Sequence, residues 1–333
     1  MKIYIGEKDC ITDVPGVKVG HETLYEKLNE EETICTGVTA ILPGTDNPFK
    51  EKVRAASHVI NGYGKTAGLI QVDELGLLES PIMLTNTFSV GSVLQGTLHY
   101  MLEKNPEVGD KTSSINIVVG ECNDSYLNSM RILAIKPDHA INALNKASSQ
   151  KAEEGAVGAG KGMVCFEYKG GIGTASEVIE IEGETFTFGS LVLTNFGKRE
   201  NARFASFEPK QMDTPDGSIM IIIATDAPLS SRQLKRIAKR ASAGLSYTGS
   251  FYAHGSGDIA IAFTTANKYV HGEEDMYEQV TFIRDDHPIF NTFLNQTATI
   301  VERAILSSLK NAETTIGRKE RVVEKAPSWD LDK

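Results

Sequence analysis

The stretch from Ile219 to Ala224, IMIIIA, contains no polar residue. Successive side chains of a strand point to opposite faces. A strand that is apolar on both faces therefore needs a covering layer on each side of its sheet. A second run, IAIAF at Ile259–Phe263, makes the same demand. Directly ahead of the first run stand the turn residues Pro215-Asp216-Gly217. Ser218 follows, which puts a hydroxyl at the mouth of a buried strand.

The rest of the chain mixes strands and helices. Short segments rich in Val, Ile, Thr or Phe, bounded by turn residues, predict strands at Thr36–Pro43, Pro81–Asn86, Ser114–Glu121 and Met163–Tyr168. Further strands are predicted at Ser190–Gly197, Ser218–Thr225 and Asp258–Thr265. Helical spacing marks Lys65–Leu78, Ser89–Asn105, Pro137–Gln150 and Asn295–Ala312. The segment SSRQLKRIAKRASAGL starts at a serine cap and carries the apolar stripe Leu234, Ile237, Ala238 and Ala241. This pattern fits an α/β (α+β) chain with a two-sheet core sandwiched by helices better than a barrel. Gly197–Asp216, with Pro209 and Pro215, reads as an exposed loop, and the charged stretch after Gly317 as peripheral. No repeat or linker divides the 333 residues, so 1–333 reads as one catalytic domain.

Charge and composition exclude several classes. A formal net charge of -10 opposes binding to nucleic acid or an anionic membrane, which needs a basic face. No run reaches the roughly 18 apolar residues of a membrane span, and MKIYIGEKDC lacks the apolar core of a signal peptide. Cys10, Cys35, Cys122 and Cys165 lie far apart with no C-x-x-C pair, as expected of reduced thiols in a cytoplasmic protein. The seven histidines show no paired ligand spacing, so neither a metal nor a cofactor is expected. Gly155-x-x-x-x-Gly160-Lys161 is close to a phosphate-binding loop. However, Gly162 stands where Ser or Thr would hold magnesium, and the loop leads into a strand, not a helix. It reads as a glycine-dense turn.

Four places carry candidate chemistry. Glu121, Cys122, Asn123, Asp124 and Tyr126 cluster where a strand ends, either as functional groups or as a solvated turn. Ser256 and Asp258, two apart at a strand entry, can form a hydrogen-bond relay or plain turn chemistry. Asn195 ends a strand and is either an oxyanion donor or a turn residue satisfying itself. Ser218 behind Gly217 allows self-cleavage: its hydroxyl attacks the preceding carbonyl, the amide becomes an ester, and water cleaves the ester. The new N-terminal serine then has an α-amine of reference pKa roughly 7.7–8.0, able to act as base near neutral pH.

Seven stretches, ITDVPGVKVGHETL, NGYGKTAGLIQVDELG, VVGECNDSYLN, GAVGAGKGM, VLTNFG, DGSIMIIIATDAPL and GSGDIAIAFTTAN, occur in order over roughly residues 11–267. In them the chain resembles the self-processing serine aminopeptidases, which include the L-aminopeptidase/D-esterases and β-peptidyl aminopeptidases. The resemblance implies a four-layer αββα sandwich, similar to the N-terminal-nucleophile hydrolases but connected differently. It implies cleavage between Gly217 and Ser218 into an α chain 1–217 and a β chain 218–333. It also implies Ser218 as nucleophile, Asn195 in the oxyanion hole, Tyr126 lining the site, and Ser256 with Asp258 assisting. Asp258 stands where some members carry glutamate. The implied substrate is a short peptide, amino-acid amide or ester, and the implied assembly a homotetramer. A carboxylate must meet the substrate ammonium, for which Glu121 and Asp124 are the candidates. Two rival readings are acyl transfer on the same fold and an uncleaved, non-catalytic homologue.

Overall fold

Two sheets stack face to face in the computed structural model, which describes residues 1–206, 208 and 217–329. Numbered along the chain, the larger sheet runs in the order β1 (Lys2–Ile5), β10 (Gly171–Ile181), β11 (Glu184–Asn195), β12 (Ser218–Thr225), β13 (Gly257–Val270), β4 (Glu51–Gly62), β5 (Leu77–Leu78). The smaller runs β2 (Val17–Lys27), β3 (Thr33–Pro43), β6 (Ile82–Asn86), β7 (Val118–Cys122). Two short hairpins, β8 (Val164–Cys165) with β9 (Tyr168–Lys169) and β14 (Thr315–Ile316) with β15 (Val322–Val323), lie outside them.

The alternation along β12 shows why its sequence is uniformly apolar. Ile219, Ile221 and Ile223 pack into a cluster with Leu234, Ile237 and Ala241 of α4 (Ser231–Tyr247) and Val301 and Ile305 of α5 (Ile289–Lys310). Met220, Ile222 and Ala224 enter the layer between the sheets, against Ile82, Leu84 and Val118. A third cluster joins the outer face of the smaller sheet to α2 (Val90–Lys104) and α3 (Pro137–Asn145) through Val38, Met83, Val93, Met101 and Leu144. The layers are therefore α, β, β, α, as the resemblance implied. Each buried Ile of β12 contributes roughly 1.5–3 kcal/mol relative to exposure.

Two parallel strand pairs, β6 with β7 and β12 with β13, interrupt otherwise antiparallel sheets. Each needs a crossover helix, α2 and α4 respectively. Ser230 caps α4 by accepting from the Gln233 N–H at 3.3 Å.

Several elements differ from the sequence expectation. Met163–Tyr168 is not one strand but the hairpin β8/β9, turned by Phe166 and Glu167 at φ 50° and 58°. Positive φ at both turn residues suits the twist of a tight hairpin. The helix expected over Lys65–Leu78 is only α1 (Leu69–Leu75), bounded by Gly68 and Gly76, both left-handed. The strand expected from Ser114 begins at Val118. β2, β4 and β10 were not foreseen, because each mixes polar residues into a long strand. The stretch after Gly317 is packed, not peripheral: Val323 is buried and the Trp329 ring lies 5.2 Å from Phe204. The expected loop Gly197–Asp216 is described only over 197–206 and 208, with a short helical turn at Arg199–Asn201; residues 207 and 209–216, which hold its Pro215-Asp216 turn, lie outside the described residues. In the glycine turn, Gly155 and Ile172 exchange backbone hydrogen bonds of 2.6 and 2.9 Å. A Cβ on Gly160 would sit 2.6 Å from the Ile172 nitrogen.

Candidate active site

The crossover that makes β12 and β13 parallel also sets their N-terminal ends side by side. Ser218 pairs with Gly257, and Ile219 with Asp258. On its other side Ser218 pairs with Asn195, the last residue of β11. In the opposing sheet, the β6–α2–β7 unit brings Thr87, Glu121 and Asn123 to the C-terminal ends of its parallel strands. Chain ends from the two sheets thus converge on one cleft of about 400 Å³. It is lined by Tyr63, Lys65, Thr87, Glu121, Asn123, Ser218, His254 and Gly255.

Ser218 is 5% exposed, and its Oγ accepts a hydrogen bond from the Gly257 N–H at 3.2 Å. On the neighbouring strand, Ser256 Oγ donates to Asp258 Oδ1 at 2.5 Å. Burial pushes the Asp258 carboxyl up to about 6, against the opposing pull of the Ser256 hydroxyl and the Ile219 N–H. Asn195 is held at both ends. Its Oδ1 accepts from the Val164 N–H at 3.0 Å, and its Nδ2 donates to the Asn123 carbonyl at 2.9 Å. An amide nitrogen has two N–H groups, so one remains to meet a negative oxygen. Glu121 Oε1 accepts from the Lys65 N–H at 2.8 Å, and Oε2 from the Thr87 hydroxyl. Gly217 carries a tight constraint: a Cβ there would lie 2.0 Å from the Asn195 carbonyl oxygen.

The structure thus brings Gly217, Ser218, Asn195, Ser256 and Asp258 together and sets Glu121 across the cleft. Two further sequence candidates have other partners. Asp124 is fully buried and accepts from Asn128 Nδ2 at 2.9 Å. Burial lifts its carboxyl to about 7. Tyr126 packs its ring under the Arg321 guanidinium at 4.5 Å. Cys122 is fully buried, with its thiol pushed well up by desolvation and donating to the Leu193 carbonyl at 3.5 Å. It is not a thiolate nucleophile. Tyr63, Lys65 and Thr87 were not singled out from the sequence, because they sit on irregular turns after β4 and β6 that no periodicity marks. His254 had one signal, its place beside GSGD.

Residues 9–323 match the model of peptidase family S58. The chain belongs to peptidase family S58. The β-peptidyl aminopeptidase BapA of Sphingosinicella microcystinivorans is 35% identical, covering 98% of this chain and 87% of that protein. Among solved structures, the PH0078 protein from Pyrococcus horikoshii OT3 shares 47% identity at a TM-score of 0.91, covering 98% of this chain and 93% of that one. The L-aminopeptidase D-Ala-esterase/amidase from Ochrobactrum anthropi, described as a prototype for the serine aminopeptidases and a new variant among the Ntn hydrolase fold, shares 31% at a TM-score of 0.90, with 98% and 93% covered. This S58 chain is accordingly a hydrolase of the serine aminopeptidase type. Among its described residues no helix is long and apolar enough to cross a membrane.

Proposed function

We propose that the chain cleaves itself between Gly217 and Ser218, and that Ser218 then hydrolyses the amide bond following the N-terminal residue of short peptides or amino-acid amides. One observation carries this reading: Ser218 lies in the cleft at the very start of a rigid strand, beside Asn195 and across from Glu121. In self-cleavage, Ser218 Oγ forms a bond to the Gly217 carbonyl carbon and the amide nitrogen leaves as an amine. The Ser256–Asp258 pair supports proton movement at this stage, when no free α-amine exists. Water then opens the ester.

In turnover, Ser218 Oγ attacks the substrate carbonyl, and its own α-amine takes the proton and returns it to the leaving amine. The free Asn195 N–H and neighbouring backbone amides receive the oxyanion, a contribution of about 3 kcal/mol for one donor. Water hydrolyses the acyl-enzyme. Glu121 receives the substrate ammonium, a requirement that separates an aminopeptidase from a general amidase. We further propose a homotetramer in a reducing cytoplasm, supported by the family resemblance and by four cysteines that are all free and buried. Sedimentation velocity tests the assembly.

The activity test is a panel of p-nitroanilides of L-, D- and β-amino acids, each with a free and an acetylated amine. The reading expects turnover of free-amine substrates and none of the acetylated ones. Equal rates on both would overturn the role given to Glu121, and no turnover of any would overturn the reading itself.

A further inference from the structure

Lys169 is a buried lysine that the chemistry above leaves unused, its ammonium drawn down to about 7 by burial. It lies on β9, is fully buried, and spends all three ammonium protons on backbone carbonyls: Gly160 at 2.9 Å, Met163 at 2.7 Å and Gly170 at 2.8 Å. A buried ammonium is costly unless fully hydrogen-bonded. Here the bonds gather three separated points of one irregular segment, residues 160–170. That segment carries the Val164 N–H that fixes Asn195 Oδ1. The bridge adds to the backbone bonds of the turn, among them Met163 N–H to the Gly160 carbonyl and Gly170 N–H to the Met163 carbonyl, both at 3.2 Å.

The second contact on Asn195 has a matching support. The Asn123 carbonyl, which accepts from Asn195 Nδ2, precedes the buried Asp124. The two supports touch, since a Cβ on Gly162 would lie 2.8 Å from the Asp124 Cβ. The groups facing Lys169 are Cys35 on β3, Asp124, Lys161 and Cys165 on β8.

We propose that Lys169 is a positioning residue for the oxyanion hole, acting through the Val164 N–H to set the orientation of the Asn195 amide. The inference rests on the proposed role of Asn195 and on cleavage after Gly217. Lys169 touches no substrate, so its removal leaves KM nearly unchanged and lowers the rate of both self-cleavage and turnover. A misplacement of about 1 Å at reacting atoms costs on the order of 10²-fold, so the expected loss lies between about 10- and 100-fold.

The test is a double-mutant cycle on full-length protein, using Lys169→Met, Asn195→Ala and the pair, read as the self-cleavage rate on denaturing gels and as kcat and KM of fully cleaved enzyme. Lys169→Met is expected to slow both reactions 10- to 100-fold in the wild-type background and less than 2-fold when Asn195 is already alanine. Lys169→Gln keeps two donors on a shorter side chain; it is expected to recover only part of the rate, staying at least about 5-fold below wild type, and that remaining loss carries the cycle where the Met variant does not fold. An equal loss in both backgrounds, or a loss confined to KM, would overturn the inference. Wild-type protein that never cleaves would overturn the underlying reading instead.

Discussion

Gly217→Ala separates the geometry of self-cleavage from that of turnover. An alanine Cβ would lie 2.0 Å from the Asn195 oxygen and 2.4 Å from Phe196 Cα, both backbone atoms of a strand end that cannot swing aside. Real Cβ contacts essentially never fall under 3.0 Å, so the chain at 217 must withdraw. The retreat is about 1 Å, and a shift of that size at a reacting carbonyl costs on the order of 10²-fold in rate. This corresponds to about 2.7 kcal/mol of barrier. The assay is a time course of fragment appearance on denaturing gels, started from freshly purified full-length chain. After cleavage the new amine of Ser218 is the same in both proteins, so the cleaved variant is expected to match wild-type kcat/KM. Cleavage of the alanine variant at the wild-type rate would show that the contact with Asn195 plays no part in the reaction, and the argument would fail. A large loss of turnover in the cleaved variant would fail it too.

Other outcomes follow from the same geometry. Asp258→Asn keeps the shape but removes the charge beside Ser256, and it is expected to lower the self-cleavage rate by about 10²-fold. Since the Asp258 carboxyl is raised to about 6, wild-type cleavage is expected to rise with pH through that value, a limb the Asn variant loses. Glu121→Gln removes a charge-assisted contact and is expected to raise KM for free-amine substrates by about 10- to 100-fold while kcat changes little. Asp124 has its folded-state pKa raised from 3.8 to about 7. Between those values the folded chain binds the extra proton, so its contribution to stability is present at low pH and is lost as pH rises towards 7. Urea midpoints are therefore expected to fall less from pH 4 to 7 in Asp124→Asn than in wild type. Ile221→Ala opens a cavity between β12 and the helical layer and is expected to cost 2–5 kcal/mol in chemical denaturation.

The central strand and its helices were legible because packing writes them into the sequence. An apolar run with no polar member has to be β12, and the stripe from Leu234 to Ala241 has to face a sheet. β2 and β4 were not, since they pair their backbones while mixing polar and apolar side chains along their length. Within the site, residues on strand ends (Asn195, Ser218, Asp258) could be named, because turn chemistry beside an apolar run marks a strand end. Asp124 and Tyr126 share a sequence neighbourhood with Glu121, yet the chain turns after β7, so Asp124 goes inward and Tyr126 goes towards Arg321. Tyr63, Lys65 and Thr87 reach the cleft only through the pairing of the two sheets, which is information of the fold and not of any short motif.

The most direct test of the account is the intact mass of purified wild-type protein beside that of Ser218→Ala. The account predicts two wild-type fragments that meet between Gly217 and Ser218, with serine as the N-terminus of the second, and a single uncut and inactive chain for the variant. A wild-type chain that stays whole while hydrolysing free-amine substrates, or a Ser218→Ala protein that still cleaves or turns over, would contradict it.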